Sequence, residues 1–393
     1  MTTIATANAE GNAARATARI ESSLDAQLGG AEPVLVMAFA STAQSLPDVA
    51  AALTKRYPSA CVIGSSTAGE FTEMLRNQKG TVSAIAIAGD FQVRAGIGRG
   101  LRTDPEAAVT EALKDSALPE SETHPHRTAL LLLDPLAGKS EIVTLLAGTL
   151  LGDVPLAGGA AGDDLAMKET FVSCGDACAS DAVVICQIAS TKPLGLGVSH
   201  GHEPLSVELE VTAAEGALVK TVEGRPAWDV WMEYTREAAK KVGLDPDSLT
   251  DDDVIAYLLR FEAGLANGTQ YKIRAPLARG DDGSLTFACA IPTGATFRIT
   301  ESEPVRQVAS AVEAAERAVK QLGGAKPAGA VVFDCICRNL ILGERFGDAV
   351  DGITKALGGA PIAGFETYGE IALMAGDMSG FHNTTTVVLA FPE

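Results

Sequence analysis

The chain has 393 residues, 47% of them hydrophobic and 5% aromatic, enough for a buried interior in two or three domains and too apolar for overall disorder. Its 31 basic and 50 acidic residues leave a formal charge of −19, a field that repels phosphate backbones and anionic bilayers; neither nucleic acid nor membrane insertion is expected. Seven cysteines without scaffold spacing, no secretory signal over Met1–Arg19 and no apolar run of spanning length point to a reduced, cytoplasmic setting.

In chain order, the helical pattern begins at about Asn12 and runs to Leu28. A continuously apolar stretch, Val34–Phe39, then reads as a strand covered on both faces. A helix over Asp48–Tyr57 follows, then a short strand ending in Gly64-Ser65-Ser66-Thr67-Ala68-Gly69-Glu70, then a strand over Thr81–Ala88. Gly96-x-Gly98-x-Gly100 lacks the spacing of a dinucleotide loop. The same series recurs with a helix at Pro105–Leu113, strand Ala129–Leu133, helix Ser140–Leu151, the looser turn Gly158-Gly159-Ala160-Ala161-Gly162-Asp163 and strand Ala182–Ile188. A third copy has a helix at Val305–Leu322, strand Ala330–Phe333, helix Gly347–Leu357, the turn Gly364-Phe365-Glu366-Thr367-Tyr368-Gly369-Glu370 and strand Thr384–Phe391. Between the second and third copies lie strand-like stretches, a helix with Trp228, Trp231 and Tyr234, and an acidic linker and helix start at Asp245–Asp253. A hairpin of Tyr271–Ala275 with Leu285–Ile291 about Gly280–Gly283 completes this region.

The expected fold is α/β: layered sheets with helices, built from three strand–helix–strand–glycine-turn–strand repeats in two domains. The expected division is an N-terminal helix over 1–30, a domain over 31–194 carrying the first two repeats, and a domain over 195–393 carrying the hairpin region and the third.

Several of these segments resemble the FIST family, which pairs a FIST N with a FIST C domain. They are Ile63–Glu70, Val222-Glu223-Gly224-Arg225-Pro226-Ala227, Phe287-Ala288-Cys289-Ala290-Ile291, Asp334-Cys335-Ile336-Cys337-Arg338 and Gly364–Glu370. The resemblance covers nearly the whole chain and is closest to the stand-alone type. It implies an intracellular sensory module for a small ligand, commonly an amino acid, that works beside a histidine kinase, a cyclic-di-nucleotide enzyme or a chemotaxis receptor. One stand-alone branch binds haem and senses nitric oxide, so a haem-binding sensor is the alternative reading, and an uncharacterised hydrolase is a third.

The candidate ligand-binding residues are Thr67, Glu70, Thr367, Tyr368 and Glu370, since a hydroxyl and a carboxylate beside exposed backbone N–H groups suit the two ends of an amino acid. The same glycines and acids also suit ordinary turns. His200 and His202, one residue apart on an extended segment, place both rings on one face for a metal or haem iron, with His382 as a further ligand. His124 and His126 read as exposed in a polar linker. Cys335 and Cys337, at a strand end, suit a redox pair, soft metal ligands or plain core filling, with Cys174 and Cys178 as the distant partners a four-thiolate site would need. Glu70 and Glu370 would serve a hydrolase as acid and base only if they converge. Phosphate-loop and His-Glu-x-x-His signatures do not occur, and no enzyme is expected.

Overall fold

The computed structural model describes residues 1–75, 80–267, 270–375, 377 and 379–393. Three α/β units surround one shared core. Each has an edge strand, a helix, a parallel strand, a second helix, a second parallel strand and a closing antiparallel strand. In the first unit these are Thr3–Glu10, Ala13–Leu28, Leu35–Ser41, Leu46–Arg56, Cys61–Thr67 and Thr81–Ala88. In the second they are Phe91–Arg99, Pro105–Ser116, His126–Leu133, Ser140–Leu151, Leu156–Ala160 and Ala182–Ser190. In the third they are Gly195–His200, Pro304–Gln321, Pro327–Cys335, Phe346–Ala356, Ile362–Thr367 and Thr385–Pro392, with a short helix Ile336–Leu342 inserted. The edge strands precede the repeat as it is read from sequence; Thr3–Glu10, rich in Ala and Thr, pairs along its whole length with Thr81–Ala88.

The strands are apolar throughout because both faces are covered. Leu35, Met37 and Phe39 point into the core that the three sheets share, where they meet Leu130, Leu132, Val331, Phe333 and Phe365. Val36, Ala38 and Ala40 point outward under the first unit's helices. Phe39 and Phe365 lie 4.8 Å apart and Phe333 and Phe365 5.8 Å, so the first and third units share an aromatic contact. The glycines of the second unit's edge strand pack closely against a helix. A Cβ on Gly98 would lie 1.8 Å from the Ala108 carbonyl oxygen, and one on Gly197 in the third unit 1.8 Å from that of Ala314.

After each glycine turn the chain leaves its own sheet and completes its neighbour's. Glu70–Thr72 of the first unit pairs with Ile362–Thr367 of the third. Glu370–Leu373 of the third pairs with Leu156–Ala160 of the second, and Val172–Cys174 of the second pairs with Cys61–Thr67 of the first. The exchange is cyclic. By its register Asp163, which ends the middle turn in sequence, is not the counterpart of the two glutamates: Glu70 stands opposite Phe365, and the residue opposite the equivalent Ser65 is Val172. Residues 163–171 intervene in the middle copy and put Asp163 in a loop.

Residues 202–302 form a nine-stranded antiparallel sheet with helices Ala227–Lys241 and Asp251–Arg260 and a separate core around Trp231, Tyr257, Phe261 and Phe297. Trp231 stacks on Phe297 and its Nε1 donates to the Phe261 carbonyl at 3.0 Å. Here the expected hairpin is corrected. Gln270–Arg274 pairs with Phe261–Asn267, and the turn at Gly280–Gly283 joins Pro276–Arg279 to Leu285–Phe287. Pro276 begins a new strand because Arg274 and Ala275 turn toward the third unit, where Arg274 donates to the Phe381 carbonyl.

No described helix is long and apolar enough to cross a membrane. A Cβ on Gly364 would lie 2.3 Å from the Val332 carbonyl oxygen and 2.5 Å from the ring of Phe71, a residue of the strand arriving from the first unit. Gly364→Ala is expected to cost about 1–3 kcal/mol by overpacking, measured as a lower denaturant midpoint. An unchanged midpoint would show that the exchanged strand is not held against this position.

Candidate functional site

The two Thr-x-Gly-Glu turns build the same buried cage. Thr67 Oγ1 donates to Glu70 Oε1 at 2.5 Å and Thr81 Oγ1 to Glu70 Oε2 at 2.7 Å. Thr367 donates to Glu370, whose Oε2 accepts the Thr385 N–H at 3.1 Å. All four turn side chains are fully buried. Burial pushes Glu70 up to about 8 against the pull of the two threonine hydroxyls, and it pushes Glu370 well above the usual range, with Cys335 adding. Tyr368 is half-buried; its hydroxyl donates to Asp163 Oδ1 at 2.5 Å and accepts the Leu165 N–H at 2.7 Å. It thus ties the third turn to the second unit's loop. That loop holds Asp164, Leu165 and Met167 in the left-handed region, and Asp164 accepts from Ser41 at 2.7 Å and Thr42 at 2.9 Å.

His200, His202 and His382 lie near one another where the inserted sheet meets the third unit. The chain crosses between the two sheets at Gly201, so His200 ends one strand and His202 starts another, their rings 6.2 Å apart. His200 Nδ1 accepts the His202 N–H at 3.3 Å, its ring also bonds to the Tyr271 backbone, and burial takes it down to about 4. His382 Nε2 donates to the Ala372 carbonyl at 3.0 Å, and burial takes it to about 3.

His202 differs. Thr300 spends its proton on the Glu262 carbonyl at 2.9 Å, so at 3.2 Å its oxygen accepts from His202 Nδ1–H. That fixes the tautomer and leaves the Nε2 lone pair facing Glu262 Oε2 at 3.6 Å. Both side chains are fully buried, and neither of these two atoms has a hydrogen-bond partner among the described residues. Glu262 Oε1 accepts from Thr384 at 2.8 Å. Burial drives His202 well down and Glu262 well up, the latter helped by Glu370 nearby, so both are neutral. Alongside, the buried Arg338 binds Asp334 at 2.5 Å, Ser310 at 2.9 Å and the Gln307 carbonyl at 2.8 Å.

The two cysteines do not share a strand face. The strand ends at Cys335, and Cys337 lies in the helix Ile336–Leu342, where two-residue alternation no longer applies. Cys174 and Cys178 sit on a hairpin of the first sheet, and all seven thiols are free. Among the described residues no three His, Cys, Asp or Glu side chains are placed to hold one metal ion. His124 is buried rather than exposed, because its Nε2 meets Asp90 at 3.0 Å and its Nδ1 meets Thr123 at 2.9 Å. Glu262, Thr300 and Thr384 escape a motif reading. The available signal was a single acid, Glu262, inside the apolar run Phe261–Leu265.

Glu70 carries a pH consequence. Between its unfolded value of 4.5 and its folded value of about 8, the folded chain keeps a proton that the unfolded chain has released. This group's contribution therefore falls as pH rises through that window. Glu70→Gln removes the dependence, so the variant's thermal midpoint should gain on the parent's steadily from pH 4.5 to 8. Parallel curves would contradict a neutral Glu70.

The FIST N domain model matches residues 34–225 and the FIST C domain model residues 227–373. The chain is 30% identical over 203 residues to an uncharacterised protein of Mycobacterium bovis, a match that covers 50% of each chain, so it spans about half of that relative's length. It is 27% identical over 281 residues to one of Mycobacterium tuberculosis (68% of this chain, 69% of that) and 26% identical over 185 residues to one of Methanocaldococcus jannaschii (46% and 35%). The chain belongs to the FIST family, whose domains are sensory modules of signal-transduction proteins rather than catalytic ones.

Proposed function

We propose that this chain is a cytoplasmic sensor of a small metabolite bearing an ammonium group, an amino acid or a close relative, and that it reports to a partner such as a histidine kinase or a cyclic-di-nucleotide enzyme. The observation that carries this reading is the pair His202 Nε2 and Glu262 Oε2, two buried polar atoms 3.6 Å apart without hydrogen-bond partners among the described residues. With Glu262 neutral its O–H faces the His202 lone pair across 3.6 Å, too far for a full hydrogen bond, and a poorly matched buried polar group costs about 1–3 kcal/mol. One ammonium nitrogen can donate to both, and it would hold Glu262 as a carboxylate. The place is also apt, because ligands of α/β sheets bind beyond the carboxyl ends of parallel strands. Entry requires the inserted sheet to part from the third unit, so occupancy is coupled to a conformational change that a partner can read. Thr67, Glu70, Thr367, Tyr368 and Glu370 belong to this proposal as the joints that would carry the change, with Glu370 beside the seam.

Haem does not fit this arrangement. His200 and His382 spend ring nitrogens on the fold, and His202 Nε2 faces a carboxyl group with no exposed surface. Nor does the geometry favour a hydrolase, since Glu70 and Glu370 are held in separate cages by their own units.

Amino acids and related amines screened at saturation should include at least one that raises the thermal midpoint. A ligand at about 100 times its Kd adds about 2.7 kcal/mol. The shift should vanish in Glu262→Gln and His202→Ala while circular dichroism stays unchanged. A full panel without any shift in the parent protein would sink the reading.

A further inference from the structure

A second cluster lies where the second unit, the inserted sheet and the third unit meet. Lys272 and Arg274 project from the strand Gln270–Arg274, their side chains only 8% and 3% exposed. Two cations this deeply buried need matching anions. Among the described residues one carboxylate meets them, Glu141 on the first turn of the helix Ser140–Leu151, and both cations converge on its Oε1. Lys272 Nζ stands 3.4 Å from that oxygen and also donates to Ser379 Oγ, while Arg274 bonds to it through Nη2. Arg274 Nη1 donates to the Ile273 carbonyl at 3.1 Å and the Phe381 carbonyl at 3.2 Å.

Arg274 Nε, on the fork edge that suits a second carboxylate oxygen, is buried without a hydrogen-bond partner among the described residues. The other titratable neighbours add no negative charge. Burial keeps His382 neutral, and it holds the Cys289 thiol protonated, pushed up to about 11. The cluster is therefore net positive in a chain whose formal charge is −19. Burial, with Arg274 beside it, also takes Lys272 down to about 8, the response of a cation short of counter-charge. The helix terminus adds to the field: the N-cap residue, Lys139, makes no side-chain capping bond, and a helix of 12 residues favours an anion there. Glu141 itself is 32% exposed, so it lies at the mouth of the cluster and can swing into solvent.

We propose that Lys272, Arg274 and the first turn of the helix Ser140–Leu151 form a binding site for a small oxyanion, a carboxylate or a phosphate, which displaces the Glu141 carboxylate. A tetrahedral or planar oxyanion reaches Arg274 Nε and Nη2 together with Lys272 Nζ, which the single Glu141 oxygen does not. The site joins three parts of the chain, so its occupancy tightens the inserted sheet against the second and third units. It is separate from the His202–Glu262 seam, and neither cation is altered in the seam's own test.

Inorganic phosphate and, in a second arm, succinate are titrated into the full chain by calorimetry and thermal shift against chloride of equal ionic strength. Binding by either arm supports the site and names the oxyanion class. Glu141→Gln, which removes the internal competitor, should bind the same anion at least about tenfold more tightly, and Glu141→Gln with Lys272→Met should lose that gain. If Glu141→Gln folds by circular dichroism and binds neither phosphate nor succinate above the chloride control, the proposal is overturned. The titration of the unmodified protein keeps the test decisive should the double variant fail to fold.

Discussion

Each α/β unit ends its second parallel strand with an open edge, and an open edge in a packed interior leaves backbone donors and acceptors without partners. Here that edge is closed from outside. Glu70–Thr72 closes the third sheet, Glu370–Leu373 the second and Val172–Cys174 the first. No unit completes its own sheet, so each takes an edge strand from another. The shared core of Phe39, Phe333 and Phe365 follows from the same constraint, because the exchange draws the inner faces of the three sheets together. The glycine turns are the pivots of this exchange, which explains why Gly364 has no room for a side chain.

The pivots are also where the polar groups collect. A chain leaving one sheet for another must bury groups that neither ladder serves, and threonine hydroxyls satisfy them in both glutamate cages. In the third unit the inserted sheet lies over this region, and the list lengthens to Glu262, His202, Thr300 and Thr384. Burial then decides protonation. The acids are pushed up and the imidazoles down, so Glu262 and His202 carry no charge as they stand, and under the proposed function a charged guest would change that. A sensory protein needs such a place, where a small change in occupancy alters how two bodies fit together.

Much of the architecture is legible in the residues. The helix Ser140–Leu151 and the strand Thr81–Ala88 have in the structure the bounds that their patterns suggest, since both rest on local periodicity and flanking turns. The inserted sheet is harder, because Gln270–Arg274 chooses its partner among several similar antiparallel strands and only long-range packing discriminates. Cys335 and Cys337 show the same limit at shorter range: the strand stops at Cys335 where it was expected to reach Cys337, and a helix turns the second thiol elsewhere. His124, read as exposed, is buried because Asp90, 34 residues earlier, reaches it.

By itself the sequence determined the threefold repetition, the alternation of strands and helices, and the marked Thr-x-Gly-Glu turns, because each is a local pattern of apolar period, glycine and hydroxyl. Only the tertiary structure decided that the turns hand strands around a ring, that the middle counterpart of Glu70 is Val172, and that Glu262 and not another histidine faces His202. It likewise placed Glu141 against Lys272 and Arg274, more than a hundred residues away. Pairing of this kind is set by which faces remain uncovered after every element has formed, and no stretch of chain carries that information alone.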